Sequence, residues 1–223
     1  MDAAALTGVA ARRSALYWLL AEFFLTCPSQ ALVERLRKDL ASVAGNADVD
    51  PLAAGLAATR DALPEHADVA AIDRLAVEHT RLFGAISPRQ GLSPPYESVQ
   101  RESAGAAELA AAVSAYYSDA GFAMIEPSVP PDHLGVELRF MALLCHDEMQ
   151  QWQRNDAGNA VQSLARQREF LDDHVLQWVA GYLRLVQTQA EHAFYRGVAA
   201  LALDAVPADR ALLEEMLAEF DAA

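Results

Sequence analysis

Lysine is all but missing from this sequence: Lys38 stands alone, and 17 lysines and arginines together face 31 aspartates and glutamates. The formal net charge is -14 and the isoelectric point lies near 4.7. So acidic a chain lacks the basic footprint on which nucleic-acid binding depends, and an anionic membrane surface repels it. An acidic surface instead favours solubility and speeds encounter with a basic partner, within the roughly 8 Å that physiological salt leaves unscreened. The lone lysine, in Leu36-Arg37-Lys38-Asp39, follows no glycine-rich loop, so the phosphate-cradling P-loop is absent. Cysteine is nearly as scarce. Cys27 and Cys145 lie far apart, each inside or beside an apolar helical pattern. That argues against a disulfide framework or a cysteine zinc site and marks both as buried thiols of a reducing compartment.

Catalytic signatures are missing too. A helical bundle enzyme most often recruits two metals through Glu-x-x-His, which puts both ligands on one helix face. The residues three before His66, His79, His133, His146, His174 and His192 are Leu63, Ala76, Pro130, Leu143, Leu171 and Gln189. His133 and Glu137 form an i, i+4 pair, but one pair supplies too few ligands, so no metal site is expected. Neither a Gly-x-Ser-x-Gly elbow nor a Cys-x-x-Cys pair occurs. No positive motif supports an enzyme.

What is present is apolar helix. Hydrophobic residues make up 53% of the 223, enough to bury a full-sized core, and residues 1–223 are expected to form a single all-α domain of about nine or ten helices. No window shows the alternation of a strand, and none approaches the ~18 uninterrupted apolar residues of a membrane span. Arg12-Arg13 followed by an apolar run imitates a twin-arginine export signal, and Cys27 lies where a lipidated cysteine would. Glu22 interrupts that run, however, and Leu16, Leu19, Leu20, Phe23 and Phe24 repeat at helical spacing, so the segment reads as a first amphipathic helix. The protein is expected to stay in the cytoplasm.

Further helices follow. Ser29 is a candidate N-cap for a second, Asp50-Pro51 opens a third, and a fourth runs from about Asp68 to Phe83. Gly84, Pro88, Gly91, Pro94 and Pro95 then break the pattern, and a loop so long is disproportionately functional. A fifth helix is expected from about Ser98 to Ala120, with Gly121 ending it, followed by a second proline-bearing loop from Phe122 to Pro131. The helix after it is apolar on most sides and reads as central. The last four are placed at about Ala157–Leu171, Val175–Val186, Ala193–Val206 and Arg210–Phe220.

Around the two loops the chain resembles a known family. Leu82-Phe83, then Pro94-Pro95-Tyr96-Glu97-Ser98-Val99, is similar to the Leu-Phe, Pro-Pro-(Tyr/Trp)-x-Ser-Val segment of the TorD/DmsD redox-enzyme maturation chaperones. Glu126-Pro127, then Asp132-His133, Leu138 and Met141, resembles that family's Glu-Pro-x-Asp-His-x-x-x-x-Leu-x-x-Met motif, with two extra residues between its halves. Arg168 to His174 with Trp178, and His192 to Arg196, match further blocks in order.

The resemblance implies an all-helical chaperone, not an enzyme, that binds the twin-arginine signal peptide of a DMSO-reductase-type molybdoenzyme catalytic subunit. It holds that subunit for cofactor insertion before export. The molybdopterin cofactor belongs to the client, and the implied partners are that subunit together with cofactor-insertion or export machinery. By the same resemblance the signal-peptide site comprises Phe83, Pro94, Pro95, Tyr96, Ser98, Glu126, Asp132 and His133. Other roles stay open for several of these: Tyr96 as a loop aromatic on the core, Asp132 as the N-cap of a helix starting at His133, His133 as a structural or pH-sensitive contact, Phe83 as core. The alternatives for the whole are a guanine-nucleotide-responsive regulator of the same fold, with weak GTP binding near the Asp-His loop, and a generic helical scaffold for a folded partner.

Overall fold

The computed structural model describes residues 2–43, 52–84, 92–101, 105–122, 125–126 and 128–221. The expected Asp50-Pro51 cap, Pro88, Gly91 and Pro127 lie outside them. The described elements are α1 (Ala3–Leu25), α2 (Gln30–Val43), α3 (Ala53–Asp61), α4 (Val69–Phe83), α5 (Glu97–Gln100), α6 (Ala106–Asp119), α7 (Leu134–Gln153), α8 (Ala157–Phe170), a π-helical turn (Leu171–Val175), α9 (Leu176–Gln189) and α10 (Ala193–Asp221). The fold is all-α, as the periodicity predicts. Among the described residues, sheet pairing is confined to one antiparallel bridge, Tyr96 with His133.

Several expected boundaries are corrected. The predicted helix from Ser98 to Ala120 is a short α5 and a separate α6. At its end Gly121 does act as foreseen: with φ +85° it lets the amides of Gly121 and Phe122 turn back to the carbonyls of Ser118 and Tyr117, a Schellman closure. The gap placed between Leu171 and Val175 is no gap, because a π-helical turn joins α8 to α9. Pro207 does not divide the last helix; it sits inside α10 on an exposed face, where water can satisfy the carbonyl four residues earlier. Cys145 is buried, but Cys27 is exposed, since α1 stops at Leu25 and its apolar stripe ends with it. Ser29 caps as read, accepting from the amide of Leu32 at 3.2 Å, and Asp68, expected only as the approximate start of its helix, caps α4 by accepting from the amide of Ala71 at 2.8 Å.

Backbone contacts group the chain into two compact units. The first comprises residues 1–25, 96–179 and 206–223. Its axis is α7, buried on most of its girth from Leu134 to Trp152, with α1 packed along it. Gly135 permits that approach, because a Cβ there would collide with Leu25 and with the carbonyl of Ala21. Tyr117, Phe140 and Phe170 fill the adjacent core, with Phe140 centred 4.5 Å from Tyr117 and 4.7 Å from Phe170. Fully burying each such side chain contributes about 1.5–3 kcal/mol.

That apolar core contains a charged centre. Arg13, the second arginine of the signal-like pair, is buried: its Nε donates to Asp209 at 2.5 Å, Nη1 to Glu148 at 2.7 Å and Nη2 to Gln167 at 2.5 Å. Tyr17 donates its hydroxyl to Asp209 at 2.8 Å, and the Trp152 indole donates to Glu148 at 3.1 Å. Arg12 next to it is exposed.

The second unit comprises residues 26–95 and 180–205. Tyr182 donates to the carbonyl of Leu82 at 3.2 Å and Tyr195 to that of Leu75 at 2.8 Å, so two buried phenols take up α4 carbonyls. The Glu78 carboxylate accepts the amides of Glu191 and His192 at the start of α10, where the helix dipole favours negative charge.

Arg13→Ala leaves two buried carboxylates without their cation, and breaking a buried pair this way costs about 3–5 kcal/mol. Thermal unfolding of the variant is expected to show Tm lowered by roughly 10 °C; a loss within two degrees would mean that the charged centre is dispensable.

Candidate functional site

The two motif segments meet at the N-terminus of α7. Proline-rich residues 92–95 deliver the chain to Tyr96, which pairs with His133 through the β-bridge. The amide of Glu97 donates to the carbonyl of Asp132 at 2.8 Å. Asp132 is buried and accepts from both the Ser98 amide, at 3.2 Å, and the Ser98 hydroxyl, at 2.5 Å. It therefore holds the start of α5 and does not cap α7. That cap is His133, whose Nδ1 accepts the amide of Gly135 at 3.0 Å, so the neutral ring carries its proton on Nε2. The Tyr96 ring meets the His133 ring edge to face at 5.4 Å, and Tyr117 donates to the carbonyl of Pro131 at 2.7 Å. Tyr96 is half-buried; burial first, and then the Asp132 charge, raise its phenol pKa, which keeps it neutral.

Among the residues expected to bind, Tyr96, Ser98, Asp132 and His133 are thus brought together. Glu126 is bound by Arg139 at 2.6 Å. Phe83, Pro94 and Pro95 belong to the second unit. There Phe83 is buried, edge-on to His79 at 5.1 Å and to Tyr195 at 5.8 Å, in the core position weighed for it. An open concavity of about 540 Å³ also lies in that unit, lined by Glu34, Arg37, Lys38, Glu65, His66 and Asp68 with mixed charge. Among the described residues no group of three or more His, Cys, Asp or Glu is placed to hold a metal ion, and no helix is long and apolar enough to cross a membrane.

Sequence reasoning missed the acidic groups behind this surface. Glu97 is fully buried, with Oε1 2.6 Å from Arg101 Nη1 and Oε2 2.9 Å from His174 Nδ1. The π-helical turn places His174 there, and Tyr116 closes on its ring at 5.3 Å. Glu137, one turn into α7, is also fully buried, and neither carboxyl oxygen makes a hydrogen bond of good geometry. Burial, reinforced by the charges of Glu97 and Asp132, drives its pKa well above the carboxyl range; the Trp178 indole and Arg101 act the other way and are outweighed. Burial thus favours the neutral form of Glu137. The signal for Glu97 and His174 was their place inside the two motif blocks, and for Glu137 its spacing from His133; nothing in the sequence announced that all three are interior.

Residues 49–184, more than half of the chain, match the family model described as nitrate reductase delta subunit. The matched stretch contains both loops and the whole of α7. A search of curated proteins finds no match.

Glu137 links protonation to stability. Its folded pKa is raised, so the native state holds a proton that the unfolded chain releases, and stability falls as pH climbs from the ordinary carboxyl range toward the folded value. Glu137→Gln removes that dependence. Melting curves from pH 6 to pH 9 are expected to show the variant gaining on the parent as pH rises; parallel curves would mean Glu137 does not titrate in this way.

Proposed function

The chain belongs to the nitrate reductase delta subunit family, and from that premise we propose that it binds the twin-arginine signal peptide of a DMSO-reductase-type molybdoenzyme and holds that catalytic subunit in the cytoplasm while its molybdopterin cofactor is inserted. The family is one of chaperones for molybdoenzyme maturation, the group that includes the TorD/DmsD proteins, and not one of catalysts. The chemistry is the client's. The observation that carries the reading is the pairing of Tyr96 with His133: it joins the two motif segments into one surface element inside the matched stretch.

That element suits a peptide that must be caught and later released. Tyr96 offers an apolar ring with a polar tip, and Val99, three residues on in α5, is left 41% exposed. Each large apolar side chain of a peptide buried on such a surface contributes about 1.5–3 kcal/mol, whereas an exposed ion pair contributes about 0–1. Apolar contact therefore supplies most of the affinity, while the net charge of -14 speeds encounter and orients an arginine-bearing segment. Ordering a flexible peptide offsets part of the gain, which keeps binding reversible. Asp132 and His133 contribute by fixing Tyr96 and Ser98, since their own polar atoms are engaged within the chain.

Calorimetric titration with a client carrying its signal, and with the same client lacking it, tests the proposal. The signal-bearing form is expected to bind at least tenfold more tightly, and Tyr96→Ala to reduce that preference several-fold with Tm nearly unchanged. Equal affinity for the two clients would instead make the protein a generic helical scaffold.

A further inference from the structure

Trp18 and Glu126 hold a guanidinium between them. Arg139 of α7 donates from Nη1 to Glu126 at 2.6 Å, and its guanidinium carbon stands 5.1 Å from the centre of the Trp18 ring. A carboxylate on one side and an indole on the other is the pairing by which proteins select arginine, whose planar, weakly hydrated fork both stacks and hydrogen-bonds, over the compact and strongly hydrated lysine ammonium. All three residues belong to the first unit, and Glu126 opens the Glu-Pro half of the second motif.

The occupant, its side chain 15% exposed, is incompletely hydrogen-bonded. Arg139 makes a single hydrogen bond to the carboxylate where a fork can make two, and its Nε is buried without a hydrogen-bond partner. The host groups stay open to solvent: Trp18 is 40% exposed, and the Glu126 side chain 30% exposed. Trp152 and Trp178, by contrast, are core residues. An exposed tryptophan face beside a half-exposed carboxylate is accessible to a second guanidinium, and exchange replaces one stacked ion pair by another of the same kind. The swap is close to neutral in free energy, so an arginine enters it only when neighbouring contacts of the same peptide assist.

We propose that Trp18 and Glu126 form a subsite for one arginine side chain of an incoming polypeptide, and that Arg139 is a resident substitute which swings out when that arginine enters. The proposal deepens the signal-peptide reading and rests on it for the identity of the peptide. Arg139 acts as a specificity device: it keeps the subsite filled against lone cations and yields to an arginine presented beside an apolar segment.

The experiment uses the full chain and two synthetic signal peptides, one with its Arg-Arg pair and one with Lys-Lys in its place. Arg139→Gln empties the subsite and is expected to tighten the Arg-Arg peptide about three- to tenfold by calorimetry, with no gain for Lys-Lys. Arg139→Lys, which keeps the charge but loses the planar fork, is expected to move affinity in the same direction, and it replaces Arg139→Gln should that variant fold poorly. Adding Trp18→Leu to either is expected to abolish the gain. A second arm needs no peptide: N-acetyl-arginine amide, titrated against the Arg139→Gln protein, is expected to shift the Trp18 indole N–H resonance, while N-acetyl-lysine amide leaves it in place. If neither peptide binds but the arginine amide still shifts Trp18, the functional reading fails and the subsite stands. Where the Arg-Arg peptide binds, equal gains for both peptides or no gain at all overturn the subsite, and an unmoved Trp18 resonance overturns it whether or not a peptide binds.

Discussion

Burying a guanidinium in an apolar core is tolerable only if every donor finds an acceptor and the charge finds its opposite, and the first unit is arranged around that requirement at Arg13. The acceptors come from α7, α8 and α10, through Glu148, Gln167 and Asp209, so four helices are tied at one point that none of them could satisfy alone. Deep burial raises the Glu148 carboxyl pKa while Arg13 next to it acts to lower it. The charged state of that carboxyl thus depends on α1 being docked. Such a centre adds little net stability over an apolar replacement, but half of it is far worse than none. It fixes the register of α1 on α7, and Gly135 sets how closely they approach.

The same accounting explains the uneven treatment of three acids behind the motif surface. Glu97 is charged-compatible because Arg101 and His174 both reach it, and Asp132 because the Ser98 amide and hydroxyl do. Glu137 has no such partner, and burial favours its neutral form. A third charged carboxylate beside these two in a site this dry is disfavoured by burial and by their charges, which favours the neutral form of Glu137. The π-helical turn belongs to this arrangement: an inserted residue shifts the ladder by one and turns His174 toward Glu97.

Periodicity made the fold class legible, and local chemistry made Ser29 and Gly121 legible as helix punctuation, because each acts within a few residues of itself. What the sequence did not disclose is decided by distant packing. Residues 171–175 have no composition that distinguishes a π turn from an α turn; Glu97 and Tyr116 across the fold select it. Pro207 reads as a stop by local rules, yet α10 continues because the neighbouring helix faces are buried on both sides of it. Asp132 was open to reading as a cap since it precedes a helix, and it lost that role to His133 because Ser98 offered two donors where an α7 amide offers one. Cys27 failed in the other direction: an apolar neighbourhood in sequence ends where the helix does.

These commitments bear on how the proposed peptide would be recognised. A carboxylate already satisfied by backbone amides, hydroxyls or an internal cation in a buried site cannot be lent to a partner without leaving its own donors unpaired, at about 1–3 kcal/mol each. Glu97 and Asp132 are therefore poor candidates for meeting a client arginine, although both lie in the segments most like the chaperone motifs. Glu126 differs, being partly exposed and paired with Arg139, the cation that the proposed exchange would displace. In the proposed reading, the buried acids shape the surface and the peripheral one makes the contact. Affinity then comes from the apolar segment of the peptide, and the arginine adds discrimination at small net gain, which suits a chaperone whose client must leave again.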